Sequence, residues 1–112
     1  MPQSPFAPLG VLEEQIIVAV LRARDEAYGM QVRREIEAAT GREMAIGAVY
    51  ATLDRLEAKG LLSSTRALSD GPSRRVFDVT RTGAHALADT RAMRDRLWQG
   101  VDLRGLLARV RA

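Results

Sequence analysis

The chain has 112 residues, 46% of them apolar and 28% charged, with a formal net charge of +3 and no cysteine. That length fits one domain with a modest core, the composition is that of a soluble globular protein, and the lack of cysteine excludes a disulfide framework or a thiolate metal site. An aromatic content of 4% argues against a large aromatic-lined substrate cavity within one chain, so a sizeable ligand pocket is expected to need two subunits.

The charge is unevenly spread. Residues 1–62 carry seven basic and nine acidic side chains, residues 63–112 carry ten and five, and every basic residue except Lys59 is arginine. The start Met1-Pro2-Gln3-Ser4-Pro5 has no charged front or apolar secretory segment. The longest apolar run, Ile16 to Leu21, is far short of the ~20 residues that span a bilayer. A soluble, cytoplasmic protein with no membrane partner is expected.

Residues 1–8, with prolines at 2, 5 and 8, read as an extended N-terminal arm that Phe6 pins down. From Leu9 to Ala23, Leu9, Leu12, Ile16 and Val20 hold helical spacing, while Val11, Ile17, Val18 and Leu21 make the back of the helix apolar as well. A strand over Ile16 to Leu21 competes, but Glu13 and Glu14 at the front and arginines at the rear complement a helix dipole. Two apolar faces imply two burial partners, one of them a second subunit.

Arg24 to Ala27 reads as a charged connection. Tyr28-Gly29 then opens a second helix to about Thr40, with Met30, Val32, Ile36 and Ala39 turned inward and Gly41 as its stop. Only Arg42, Glu43 and Met44 separate it from a third helix over Ala45 to Gly60, and so short a turn makes the two helices cross steeply, as in helix-turn-helix modules. In the third helix Ile46, Val49, Leu53 and Leu56 form the inner stripe. Ala48, Ala51, Thr52, Arg55 and Lys59 are read as the outer one, small at the front and basic at the back, which suits close approach to a partner surface.

Leu61–Leu68 and Arg74–Thr80 read as strands joined by the turn formers Ser69-Asp70-Gly71-Pro72-Ser73, a β-hairpin. Thr80 or Thr82 caps a fourth helix to about Gln99 along the sparse stripe Ala86, Thr90, Met93, Leu97 and Val101. After Gly100, Leu103, Leu106, Leu107 and Val110 repeat at helical spacing, although Gly105 weakens a terminal helix.

Order and residues together resemble the PadR family of winged-helix transcriptional regulators over roughly Leu9 to Leu87. The points of match are Leu12-Glu13-Glu14, Tyr28-Gly29, Val49-Tyr50-Ala51-Thr52-Leu53 running into Arg55-Leu56-Glu57-Ala58-Lys59-Gly60-Leu61, and Arg74-Arg75-Val76-Phe77-Asp78-Val79-Thr80 followed by Gly83. Two positions depart from the family pattern: Ala51 stands where many relatives have proline, and Val76-Phe77 replace a pair of aromatic residues. The resemblance implies a mainly α fold with a β-hairpin wing: a winged helix-turn-helix over residues 9–80 and a C-terminal dimerisation helix with its tail over residues 81–112. It also implies a homodimeric repressor on a pseudo-palindromic double-stranded DNA operator, with no cofactor.

In such a module the third helix enters the major groove and the wing lies on adjacent backbone or minor groove. Ala48, Ala51 and Thr52 are then expected at base edges, and Arg55 and Lys59 at phosphates. Tyr50 packs its ring and offers its hydroxyl to a phosphate, while Tyr28 and Gln31 anchor backbone. Arg74 and Arg75 are adjacent strand residues pointing to opposite faces, so that one folds back while the other touches DNA, with Arg66 joining from the partner strand. Leu9, Leu12, Ile16, Met93, Leu97 and Trp98 are assigned to the dimer and to a cleft that suits an aromatic or cationic small-molecule inducer, unless Trp98 simply completes the dimer core. His85 is the single histidine, without ligand-spaced carboxylates or a phosphate-binding glycine loop, so neither an enzyme nor a metal site is expected. The competing reading is a winged-helix module that binds protein through its hairpin or the apolar tail Leu103 to Val110.

Overall fold

The computed structural model describes residues 8–67 and 74–110, so the N-terminal arm around Phe6 and the turn Ser69 to Ser73 lie outside the described residues. Eight elements follow one another: α1 (Val11–Ala23), a single 3₁₀ turn (Arg24–Glu26), α2 (Gly29–Thr40), α3 (Ile46–Ala58), β1 (Leu62–Ala67), β2 (Arg74–Val79), α4 (Arg81–Trp98) and α5 (Leu103–Arg109). This is a mainly helical fold with one antiparallel hairpin, as the residue pattern predicts.

α1 starts at Val11, two residues later than the periodicity predicts, because the Glu13 carboxylate accepts the Gly10 N–H at 3.0 Å and so fixes the first turn there. It stops where Arg24 takes a positive φ of 53°. α2 ends at Gly41, φ 71°, whose N–H returns to the Glu37 carbonyl at 2.9 Å. Gly60, φ 78°, closes α3 in the same left-handed region.

Ile16, Ile17, Val32, Val49, Leu53, Leu56 and Phe77 have no exposed surface and form the centre of a core shared by α1, α2, α3 and β2. Truncating a side chain so placed costs about 2–5 kcal/mol. Two helical positions differ from expectation: Met30 and Ala39 of α2 are exposed, and Val32 and Ile36 alone carry its buried stripe with Gly29.

β1 and β2 pair in the register Leu62↔Val79, Ser64↔Phe77 and Arg66↔Arg75. The Phe77 N–H is donated at 2.8 Å to the Ala27 carbonyl between α1 and α2, so the hairpin is moored to the helices through backbone as well as through its buried ring. Thr80 caps α4: its hydroxyl accepts the Gly83 N–H at 3.0 Å and donates to the Gly60 carbonyl at 2.6 Å. A Cβ on Gly83 would collide with the Leu61 carbonyl, and glycine is what lets α4 lie so close to the strand entrance.

Beyond that start α4 has few buried residues. Ala86 and Thr90 are buried, Met93 is partly covered, and Leu97 and Trp98 are exposed, the thin stripe that the sequence predicts. Thr90 accepts the Leu9 N–H at 3.1 Å, and Arg94 pairs with Glu14 of α1. The terminal segment is helical despite Gly105, because Asp102 accepts the Gly105 N–H at 2.9 Å as an N-cap.

Candidate nucleic-acid interface

α3 shows which of its residues can meet a partner. Val49, Thr52, Leu53 and Leu56 are buried, and Gly47, Ala51, Asp54 and Ala58, at helical spacings of four, three and four, make the centre of the exposed face. Ala48 and Ala51 are exposed as expected. Thr52 is not: it is 2% exposed and its hydroxyl donates to the Ala48 carbonyl at 2.8 Å. The expected outer stripe was turned too far toward the core by counting a polar residue as exposed, whereas a hydroxyl satisfied by the preceding turn buries readily.

The basic rear of α3 also lies elsewhere than expected. Lys59 Nζ sits 2.8 Å and Arg55 Nε 3.7 Å from Glu13 Oε2, so both cations flank α1 rather than the centre of the exposed face. Glu13 is 14% exposed, and the hydrogen bond from Lys59, more than any other contact, holds its carboxyl below the ordinary carboxylate range.

On the other flank the wing closes a basic cleft. Tyr28, Gly29, Met30, Arg34, Tyr50, Arg66, Arg74 and Arg75 line one depression between the start of α2, the start of α3 and the hairpin. The Arg74 guanidinium lies 4.4 Å from the centroid of the Tyr28 ring. A Cβ on Gly29 would overlap the Tyr50 ring, so this glycine creates the seat of the second tyrosine, which remains 41% exposed. Gln31, in the first turn of α2, does not line the cleft; its amide oxygen accepts from Arg34 at 3.4 Å.

Arg75 turns the opposite way from Arg74, as the strand alternation predicts. Its guanidinium reaches Asp54 Oδ1 at 2.9 Å and Glu57 Oε1 at 2.6 Å and lies 4.8 Å from the Phe77 ring. The Ser64 hydroxyl donates to the other Glu57 oxygen at 2.6 Å. That bond first, and Arg75 second, hold the Glu57 carboxyl low, while Asp54 and Glu57 raise Arg75 above its already high value. Ion pairs thus join wing and third helix at their rim, in addition to the apolar core that Phe77 shares with α3.

The structure brings together Tyr28, Tyr50, Arg66, Arg74 and Arg75 of the residues singled out in the sequence, with Ala51 on the exposed face of α3 next to Tyr50 and Ala48 on the opposite flank, toward Arg55. It separates Arg55 and Lys59 and buries Thr52. Sequence reasoning missed Asp54 and Arg34. The spacing of Gly47, Ala51, Asp54 and Ala58 is the signal that marks Asp54 as central, although an acid stands out of keeping on a face expected to be small and basic.

Apart from Met30 and Tyr50 in that cleft, the exposed large apolar groups lie on α1 and toward the C-terminal end. Val11, Val18 and Leu21 of α1 and Leu97, Trp98, Val101, Leu106, Leu107 and Val110 at the C-terminal end are all exposed. Ile16, assigned to a dimer face, instead belongs wholly to the protomer's own core, since α1 buries both Ile16 and Ile17 and exposes Val18. Leu9 and Leu12 pack at the core margin. A groove containing Trp98 runs between α1 and α4 and is lined by Glu14, Val18, Leu21, Leu87, Arg91 and Asp95 among others; Leu9, Met93 and Leu97 do not line it, contrary to expectation. Among the described residues no cluster of potential metal ligands occurs, and no helix is long and apolar enough to cross a membrane.

Comparison with known proteins agrees with this geometry. The family model described as the transcriptional regulator PadR-like family matches residues 17–89. The transcriptional regulator Rv3488 of Mycobacterium tuberculosis is 37% identical over 75 residues, covering 67% of this chain and 69% of that protein. A PadR-like transcription factor from Bacteroides fragilis superposes with a TM-score of 0.70 at 29% identity, over 82% of this chain and 87% of the other. A PadR-like transcriptional regulator from Bacillus cereus shares the fold, with a TM-score of 0.71 at 21% identity over 91% of this chain and 95% of the other.

Proposed function

The chain belongs to the PadR-like family of transcriptional regulators, which are not enzymes, and from that premise we propose that it is a cytoplasmic homodimeric repressor of a pseudo-palindromic double-stranded operator. The observation that carries the DNA-binding part is the cleft where Arg34, Arg66 and Arg74 gather around Tyr28 and Tyr50 beside the small-residue face of α3. Cations and tyrosine hydroxyls suit phosphates, and a face of Gly47, Ala48 and Ala51 lets helix backbone approach the floor of a major groove. Residues 9–80 form the DNA-binding unit in this reading and residues 81–112 the dimerisation unit. Two copies of α3 about 34–36 Å apart meet successive major grooves.

Dimerisation is supported by the two exposed apolar surfaces of each protomer. The outer face of α1 and the end of α4 with α5 can cover one another reciprocally about a two-fold axis. Release from DNA follows when a small molecule favours a dimer with another spacing of α3, since only differential affinity for two states shifts their balance. The groove holding Trp98 has the aromatic wall for an aromatic inducer, with Glu14 and Asp95 balanced along it by Arg91 and Arg94.

Selection of duplexes from a random pool by the purified chain tests the reading. Enrichment of an inverted repeat, with binding that weakens as salt rises, is the expected result. Failure to enrich any sequence contradicts it.

A further inference from the structure

We propose that Asp54 is the specificity-determining residue of α3, and that Arg75 holds its carboxylate ready to accept a hydrogen bond from the N4 amino group of a cytosine in the major groove. This deepens the DNA-binding reading above and rests on it. Along the centre of the exposed face of α3, Gly47, Ala51 and Ala58 have no side-chain hydrogen-bonding group, and Asp54 does. Thr52, the other candidate on this helix, is buried with its hydroxyl engaged by the Ala48 carbonyl. Arg55 leans toward Glu13 and away from that centre.

A carboxylate on a surface that meets phosphates is unfavourable unless it is compensated and aimed at a donor. Asp54 is compensated: Arg75 Nη1 lies 2.9 Å from its Oδ1, yet the Asp54 side chain is 57% exposed. The second arm of Arg75 is anchored 2.6 Å from Glu57, which Ser64 also holds, so the guanidinium that orients Asp54 is itself fixed to α3 and β1. An ionised carboxylate only accepts hydrogen bonds, and the major groove offers it two amino groups, cytosine N4 and adenine N6. Adenine sets the N7 lone pair beside its amino group, which repels a carboxylate, whereas cytosine has a carbon there. Cytosine is therefore the base that fits.

The test compares the intact chain with Asp54→Ala and Asp54→Asn in selection from a random duplex pool, followed by titration of the selected duplex and of a copy with the relevant cytosine replaced. The expected result is a position where the intact chain demands cytosine and prefers it by about tenfold, and where Asp54→Ala shows no preference. Asp54→Ala is also expected to bind unselected duplex more tightly, because a negative charge has left the surface; loss of the cytosine preference at that one position, with the others kept, is what a merely structural role for Asp54 does not produce. Thermal melting confirms that both variants fold. If the intact chain and Asp54→Ala select identical sequences, the assignment of Asp54 is overturned while DNA binding stands; if the intact chain enriches nothing, the DNA-binding reading falls and takes this inference with it.

Discussion

Arg74 and Arg75, neighbours on β2, face opposite ways: Arg74 lies 4.4 Å above the ring of Tyr28 while Arg75 spans Asp54 and Glu57 on α3. The first is a cation offered to the cleft, the second a strut between wing and helix. Arg74→Ala is expected to lower the slope of log K against log salt by about 0.9, the loss of one phosphate contact. Arg75→Ala is expected to leave that slope nearly unchanged and to cost no more than about 1 kcal/mol of stability, because its pairs are partly solvated. Anisotropy titrations at several salt concentrations, with thermal melts, separate the two. Equal changes of slope would show that both arginines meet phosphate.

Thr52 carries a stability role. Loss of its buried hydroxyl in Thr52→Ala removes the bond to the Ala48 carbonyl and leaves a small void, with an expected cost of about 1–2 kcal/mol. Base preference in a selected pool should stay as it was. A changed preference with an unchanged melting temperature would reverse that assignment.

Two glycines give opposite outcomes on substitution by alanine. At Gly83 the new methyl meets the Leu61 carbonyl, and about 1–3 kcal/mol should be lost on denaturant unfolding. At Gly47 nothing lies within 4 Å, so alanine should raise stability by roughly 0.5–1 kcal/mol. The same methyl stands on the face offered to DNA, and operator binding should weaken while the fold becomes firmer. Improved binding would take Gly47 off the contact surface.

Glu13, Glu37 and Glu57 are each held below the ordinary carboxylate value of 4.5, chiefly by Lys59, by the Met44 N–H and by the Ser64 hydroxyl respectively. Groups whose folded value is lowered stabilise the protein above the unfolded value, and that contribution is lost as pH falls through the folded one. Stability to urea should therefore be insensitive to these three groups near neutrality and decline below about pH 4.5. Glu13→Gln should shrink the acid-sensitive part. An unchanged acid profile in that variant would mean that Lys59 and Glu13 are not paired in solution.

The order of elements was legible because each has its own physical signal: acids before arginines in α1, glycines at 41 and 60, turn formers between two β-rich segments, and Thr80 ahead of α4. The hairpin arginines were legible too, since strand alternation alone sends Arg74 and Arg75 apart. What periodicity could not supply was the rotation of α3 to within one residue. Burial of Thr52 depends on a local bond to the backbone, and the position of Lys59 depends on Glu13, 46 residues away in sequence. In α1 two apolar faces were evident, but which one packs inside is settled by tertiary packing, which buries Ile16 and Ile17 and leaves Val18 outside.

Trp98, the sole tryptophan, is half exposed in the protomer and close to Val18 and Leu21 along one groove. If the α1 and α4 surfaces meet their counterparts in a second chain, Val18→Glu should part the subunits and move the Trp98 emission to longer wavelength. Emission that ignores both the substitution and dilution would argue against this surface as the dimer contact.

The most direct measurement of the central claim is sedimentation of the chain with a duplex selected from a random pool, over a series of salt concentrations. Two protomers on each inverted-repeat duplex, one on neither half-site alone, and affinity that falls steeply with salt are expected. A stable single protomer per duplex, or no complex at low salt, would contradict it.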